Sequence, residues 1–566
     1  MFLTDLPEDL ILDLCGHLNA HDIISLRQTC KALESATRER AVWRMALSRH
    51  IQRSRLPVPN AHRYDVPSLS TRELEKLTLR SLCYWSNWLS PSPHFYSHLN
   101  IRPVRLRFLN HHRNARNLAI AFIPGIPDHI LTLTLYGDTT FHERYSFELW
   151  NVAGGSQATF VDTVAVAGLL GYAINSDAES NVTMTITRRS EGHNHQGLGL
   201  PCITEAYRLE VPRTQDRSCF LLLRQFVGFR NTIGLHGSRL VVTDAEQHVR
   251  ILDVDTGRLQ CTLMAPMMLN DPTLRSAERQ ALDVVIVDNF VLSFCKQYIF
   301  LYHIPPSARQ SHPQDTDSSF EPPELEAVAT YKWQWRIDTL IAAPRRSPQD
   351  LTVSTLPGSR SASTYSTAPV IDVLTRFDTW FPWPVNILHH FVLAPNPLYR
   401  ADTVDLARPE TFPYLLSSTE GPFMVHSIPS PVRIFTPSDV VLGRYGTALW
   451  IDASTDVNTP SQAGDHGQRI AGKLLTQTAL PKVRLRPGEG PQDDQVSPGP
   501  VDPATLAYTG QPSGSLDSSE QGPEVSVFHV QESDEKWNRV AVDEEGGRIA
   551  LGHVDGTVSV YTYVPS

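Results

Sequence analysis

One short pattern recurs along this chain: two apolar residues separated by any residue, then a bulky residue, any residue, and a further apolar one. It stands as FELWNV at 147–152, VRILDV at 249–254, IFLYHI at 299–304 and VSVYTY at 558–563, with Trp150, Leu252, Tyr302 and Tyr561 at the bulky position. Alternation of this kind in β-branched and aromatic residues belongs to strands. Its return along the sequence is the mark of a repeat architecture, in which one supersecondary unit cannot bury its own faces and needs its neighbours to do so. Positions 150, 252 and 302 are 102 and 50 residues apart, which fits a unit of about 50 residues with one more copy between the first two.

From about residue 118 the surrounding texture agrees: short apolar runs are separated by Gly, Asp, Asn and Pro, the punctuation of an all-β region. SRLVVTDAEQHVRILDVDTGRLQCTLM, 238–264, holds two turn signals between three strands, and its spacing is kept near the end of the chain, where Arg548, Ile549, Val558 and Val560 follow Arg239, Leu240, Val249 and Ile251. The recurring strand resembles the third strand of WD-type propeller blades. Only Trp150 and Asp253 keep the signature letters, each in a different copy. The resemblance implies five to eight blades, seven being favoured, against the alternative of an irregular pair of β-sandwiches. In a closed ring the ends of the domain must meet, so the strand ending at Val564 is expected to share a blade with one from about residues 101–135. Two polar inserts, 305–324 and 487–523, interrupt the pattern, the second with 13 Pro and Gly among 37 residues, and both are read as disordered.

The first 50 residues differ in kind. LPEDLILDLCGHL, 6–18, sets Pro7 and the acids Glu8 and Asp9 where a helix starts. Leu10, Ile11, Leu14 and Leu18 then fall within an arc of about 100°. Asn19 and Asp22 offer a turn and cap before Ile23, Ile24 and Leu26, and Leu33, Ala36, Val42, Trp43 and Leu47 continue in helical spacing. Three or four short helices in so few residues are too small a unit to enclose a good core, and such units are completed by a metal, by disulfides or by a partner. The seven cysteines are scattered without a CxxC, which leaves the partner; their thiols are expected to be buried.

These residues resemble an F-box. The pattern is carried by Leu6, Pro7, Asp9, Leu10, Ile11 and Leu18, then Asp22, Ile23, Leu26, Arg27, Cys30, Lys31 and Trp43, with Leu33 where a tryptophan is common and Cys15 and Gly16 as further departures. The resemblance implies docking to a Skp-type adaptor and, through it, to a cullin carrying the ubiquitin-transfer machinery. Leu6, Pro7, Leu10, Ile11, Leu14, Leu18, Ile23, Leu26, Cys30 and Trp43 are the candidate adaptor-binding residues. A protein substrate of unknown identity would then be bound by the β-domain, or a partner simply held there by a scaffold.

Between the two regions, Ser70-Thr71-Arg72-Glu73 is a capping box, and Leu74, Leu77, Leu82, Trp85, Trp88 and Leu89 form one stripe ahead of Pro91. This helix is expected to pack on the next domain, the other reading being a partner-binding helix. The expected organisation is an α+β multidomain chain: a small all-α helical module at 1–50, a helical connector at 51–100 and a large all-β, propeller-like domain at 101–566.

Charge and motifs narrow the function. Residues 1–117 hold 17 Lys and Arg against 10 Asp and Glu, a balance of +7, which leaves −17 on the remainder. Without dense basic runs and interleaved aromatics, the basic front reads as solvated helix faces rather than a nucleic-acid surface. No apolar stretch approaches the 18 residues of a membrane span, nor does a secretory leader follow Met1, so a cytoplasmic or nuclear protein is expected. GxSxG, GxxxxGK[ST], HExxH and a helix-opening GxGxxG do not occur, so neither an enzyme nor a cofactor is expected. His193-Asn194-His195 lacks a third ligand, His389-His390 is read as structural, and Trp333, Trp335, Trp380 and Trp383 are read as packing rather than as a recognition groove.

Overall fold

The computed structural model describes the chain except residues 1–6, 53–55, 57, 61–63, 65, 105–113, 138–143, 155–156, 191–200, 212–218, 265–279, 306–321, 346–367, 378–384, 418–420, 432–438, 454–466, 476–524, 532–535 and 566. Leu6, the His193–His195 motif, Trp380, Trp383 and nearly all of both inserts lie outside the described residues. The one element at the edge of the first insert is a two-residue strand, Glu324–Leu325, paired in parallel with Leu259–Leu263.

Four short helices open the chain: α1 (Glu8–His17), α2 (Ala20–Arg27), α3 (Lys31–Thr37) and α4 (Arg40–Leu47). Asn19 caps α2 by accepting from the Asp22 amide. At Gly16 a Cβ would stand 3.1 Å from the Met45 sulfur and terminal methyl, the flexible end of a partly exposed side chain. The connector helix α5 (Thr71–Trp88) starts from a complete capping box between Ser70 and Glu73.

The β-region is a ring of seven sheets. Blade 1 joins Ser97–Ile101 to the last three strands of the chain, and blades 2 to 7 follow in order at 114–167, 169–227, 231–263, 281–332, 337–431 and 440–531. Closure is antiparallel, from Ser97 opposite Thr562 to Ile101 opposite Val558. The partner of the last strand thus lies at and before the near end of the expected range. The strands at Asn114–Phe122 and His129–Gly137 belong instead to blade 2, because the closing strand must come before the first complete blade.

All four copies of the sequence pattern are third strands. The bulky residue of each packs towards the preceding blade: Trp150 on Val558 and Val560, Leu252 on Ala173 and Ala206, Tyr302 on Val241 and Ile251, Tyr561 on Leu449 and Ile470. The same place in blades 3, 6 and 7 is held by Tyr207, Phe391 and Ala471, each just after a register shift in the pairing of third and fourth strands. Such shifts add local twist, and here they turn the outer strand of a blade relative to its inner ones.

Polar groups also tie blades together. Asp372 accepts from Arg345 Nε and Nη2 at 2.6 and 2.7 Å and lies 2.8 Å from His390 Nε2, while Arg345 Nη2 reaches across to the Leu475 carbonyl of blade 7 at 3.3 Å. Burial raises the Asp372 carboxyl, but the His390 and Arg345 hydrogen bonds outweigh it and hold the group below its ordinary range. His390 is therefore a structural residue, as read. Trp333 is buried in the core between blades 5 and 6, whereas Trp335 is 40% exposed, so only the first follows the packing expectation. Cys15, Cys219, Cys261 and Cys295 are buried, but Cys30 and Cys83 are exposed and Cys202 is half-buried, because each lies outside an inward-facing position of its element.

Candidate adaptor-docking face and its seat on the propeller

The apolar stripe of α1 is divided between two jobs. Ile11 and Cys15 turn inward and join Ile23, Leu33, Ala36, Val42, Trp43 and Leu47 in one core. Leu10, by contrast, is 52% exposed, Pro7 is exposed, and Leu14 and Leu18 are only half-buried. Leu26 at the end of α2 is half-buried and Cys30 ahead of α3 is exposed. The nine candidates among the described residues thus separate: Ile11, Ile23 and Trp43 are covered by this chain itself, while Pro7, Leu10, Leu14, Leu18, Leu26 and Cys30 keep exposed or half-exposed surface. The separation has a simple cause, since an amphipathic period marks an apolar side without saying whose surface covers it.

Arg27 has the largest role that the spacing could not assign. Its Nη1 and Nη2 donate to Glu75 Oε1 and Oε2 on α5 at 2.7 and 3.0 Å, its Nη2 also donates to the Thr37 carbonyl at 3.2 Å, and its guanidinium lies over the Trp43 ring. A two-pronged ion pair, only partly exposed, fixes direction as well as distance. It bolts α2 to the connector.

α5 in turn sits on the seam between blades 7 and 1. Its buried face is Leu74, Leu77, Thr78, Ser81, Tyr84, Trp85 and Trp88, with Leu82 and Leu89 at the half-buried margin. The stripe read from leucines and tryptophans missed Tyr84, Thr78 and Ser81 at its centre. The two hydroxyls are satisfied by carbonyls one turn back, Leu74 and Leu77, each at 2.8 Å. Trp88 donates to Thr447 Oγ1 at 3.3 Å and meets the rings of Tyr84, Phe528 and Tyr563. Tyr84 donates to the Glu544 carbonyl at 3.1 Å. Beneath it, Gly547 is at φ +60°, and a Cβ there would stand 2.1 Å from Val564 and 2.9 Å from the Tyr84 ring, so the seat requires glycine.

Glu544 links this seat to blade 7 by accepting from the amides of Tyr445 and Thr447 at 2.7 and 2.9 Å. Burial pushes its carboxyl up to about 7, against the pull of those donors. An unfolded glutamate titrates near ~4.3, so the folded chain holds this proton more tightly than the unfolded one. The resulting penalty is absent below about pH 4, grows as pH rises, and is complete above about 7, on the order of 3 kcal/mol. We expect the melting temperature to fall between about pH 4 and pH 7, and Glu544→Gln to flatten that part of the slope. Equal slopes for the two proteins would contradict this assignment.

Residues 3–47 match the family model described as F-box-like. The chain carries an F-box-like domain at its N-terminus, ahead of a seven-bladed propeller region. F-box domains generally bind Skp-type adaptors, and the uncovered side of α1 belongs to the matched segment. No curated protein matches the chain. Among solved structures it is similar to a chain of a humanized mutant of the Chaetomium thermophilum Polycomb Repressive Complex 2 bound to an inhibitor, at 9% identity over 83% of this chain and 97% of that one, with a TM-score of 0.41. It is also similar to the WD40 beta propeller domain of Doa1, at 10% identity over 80% and 95% and a TM-score of 0.34. The assignment of seven blades rests on the strand pairings themselves.

Proposed function

We propose that this F-box protein is the substrate-receptor subunit of an SCF-type ubiquitin ligase, working in the cytoplasm or nucleus. Its F-box would dock a Skp-type adaptor and through it a cullin, while the propeller captures the protein to be modified. The observation that carries the reading is the outer side of α1, where Pro7, Leu10 and Leu14 keep apolar surface although the inner side has completed the core. Burying such side chains against a partner contributes about 1.5–3 kcal/mol each, enough for a few of them to make docking durable. F-box and propeller modules are typically non-catalytic, which accords with ubiquitin transfer by other subunits.

Leu10→Asp is the clean test, because Leu10 is exposed and an aspartate there leaves the fold alone but puts an unpaired charge into the dry interface. We expect retention on immobilised adaptor to weaken by about a hundredfold with an unchanged melting temperature; unchanged retention defeats the proposal. Ile11→Asp is not equivalent, since Ile11 is 7% exposed and its substitution disrupts the helical core itself. In cells, proteins captured by the propeller should remain bound to the Leu10→Asp variant yet live longer. Captured proteins with identical half-lives under both forms would favour a scaffold over a ligase receptor.

A further inference from the structure

At the end of the ring where α5 sits, the inner strands of blades 7, 1 and 2 and the turns that follow them surround a cavity of about 340 Å3. That size lies at the low end of ligand pockets, suited to one or two side chains rather than a large cofactor. Its walls include Phe122, Ile126, Leu442 and Val542, all half-buried, so the space opens to solvent while remaining largely apolar. Four carboxylates line it, Asp128, Asp543, Glu544 and Glu545, against the single lining cation Arg444. Arg548 lies just behind, 2.6 Å from Asp128 and 3.8 Å from Asp543, and because Glu544 is held by the blade 7 amides and only partly ionised near pH 7, the balance that remains is three carboxylates, Asp128, Asp543 and Glu545, against two arginines. Burial pushes the Asp543 carboxyl up to about 6, and Arg548 and the Gly546 amide pull it down more strongly than Glu545 and Asp128 push it up.

Apolar walls around surplus carboxylates match a side chain with an aliphatic stem and a cationic head. We propose that this cavity is the propeller's peptide site and takes a lysine or arginine side chain from an extended segment of the captured protein. The inference rests on the receptor reading above and adds the class of substrate. It also gives the capture site a fixed relation to the docking module, because the same turn that lines the cavity is held from the other side: the Asn60 amide donates to the Glu545 carbonyl at 2.7 Å and Tyr84 donates to that of Glu544.

The test is selection of short random peptides on the purified full-length chain, with adaptor retention measured on the same preparation. Enrichment of lysine or arginine is expected, and a selected peptide should bind at least tenfold more weakly to Asp543→Asn/Glu545→Gln and more weakly in high salt. Both substitutions keep an oxygen for the Gly546 amide and the Tyr445 hydroxyl that these carboxylates now accept from, so the fold should persist. If the double variant melts early, Ile126→Trp, which fills the cavity without changing charge, must abolish binding instead. Enriched peptides without a basic residue, no enrichment at all, or basic peptides indifferent to the variants would overturn the proposal. Loss of adaptor retention with basic peptides still bound would instead overturn the receptor reading and leave the cavity assignment standing.

Discussion

Removal of Thr557–Tyr563 is expected to leave the propeller unfolded or aggregated. The strand Val558–Thr562 is paired on both sides, by Ser97–Ile101 outside it and Arg548–His553 inside it, so its loss splits blade 1 and opens two sheet edges at once. Val558, Val560, Tyr561 and Tyr563 are each at most 9% exposed. At about 1.5–3 kcal/mol apiece they contribute about 6–12 kcal/mol, comparable with the ~5–15 kcal/mol that holds a whole domain together. The loss also reaches beyond the blade, because Tyr561 packs towards blade 7 and Tyr563 meets Trp88 of α5. Size-exclusion chromatography and a thermal melt of the trimmed chain decide the matter. A soluble monomer with a cooperative melt would mean that ring closure does not stabilise this protein.

Trp88→Ala is expected to give the largest effect of any single substitution in the connector. The indole is wedged between Phe528 of blade 7 and Tyr563 at the end of blade 1, its ring centroid 5.0 and 5.4 Å from theirs, and its N–H is bonded to Thr447. Truncating a buried tryptophan costs about 3–5 kcal/mol, partly as lost transfer energy and partly as the cavity left behind. Much of that loss should appear at the seat rather than throughout the ring. Amides of α5 and of the turn at 544–547 should exchange hydrogen faster, and adaptor binding should persist although the F-box is no longer held in one direction relative to the blades. A melting temperature within a degree of the parent's, with unchanged exchange in α5, would show that the helix is not seated by this residue.

The F-box was legible because its signals are local: an apolar period, a proline, acids and caps all lie within about 45 residues. The propeller was half legible for the same reason. Blades 2, 4, 5 and 1 present Trp150, Leu252, Tyr302 and Tyr561 in the same alternating apolar pattern, but the third strand of blade 3 carries Thr204 and Glu205, that of blade 6 carries His389 and His390, and that of blade 7 has Ala471 in the bulky position. Those strands are recognisable only by their place in the ring, where neighbouring sheets cover what the sequence leaves weakly patterned.

Local sequence therefore determined the kinds of element here, their approximate order, and the apolar side of α1 and of four third strands. Tertiary structure alone decided how those sides were shared out. It turned Ile11 inward and left Leu10 outside, placed Arg27 on Glu75, centred the face of α5 on Tyr84 and Ser81, and brought 120–129, 441–445 and 541–546 around one cavity. The reason is physical: periodicity is set by backbone geometry between near neighbours, whereas a contact such as that between Tyr84 and Glu544, 460 residues apart in sequence, exists only once a closed ring has fixed both ends in space.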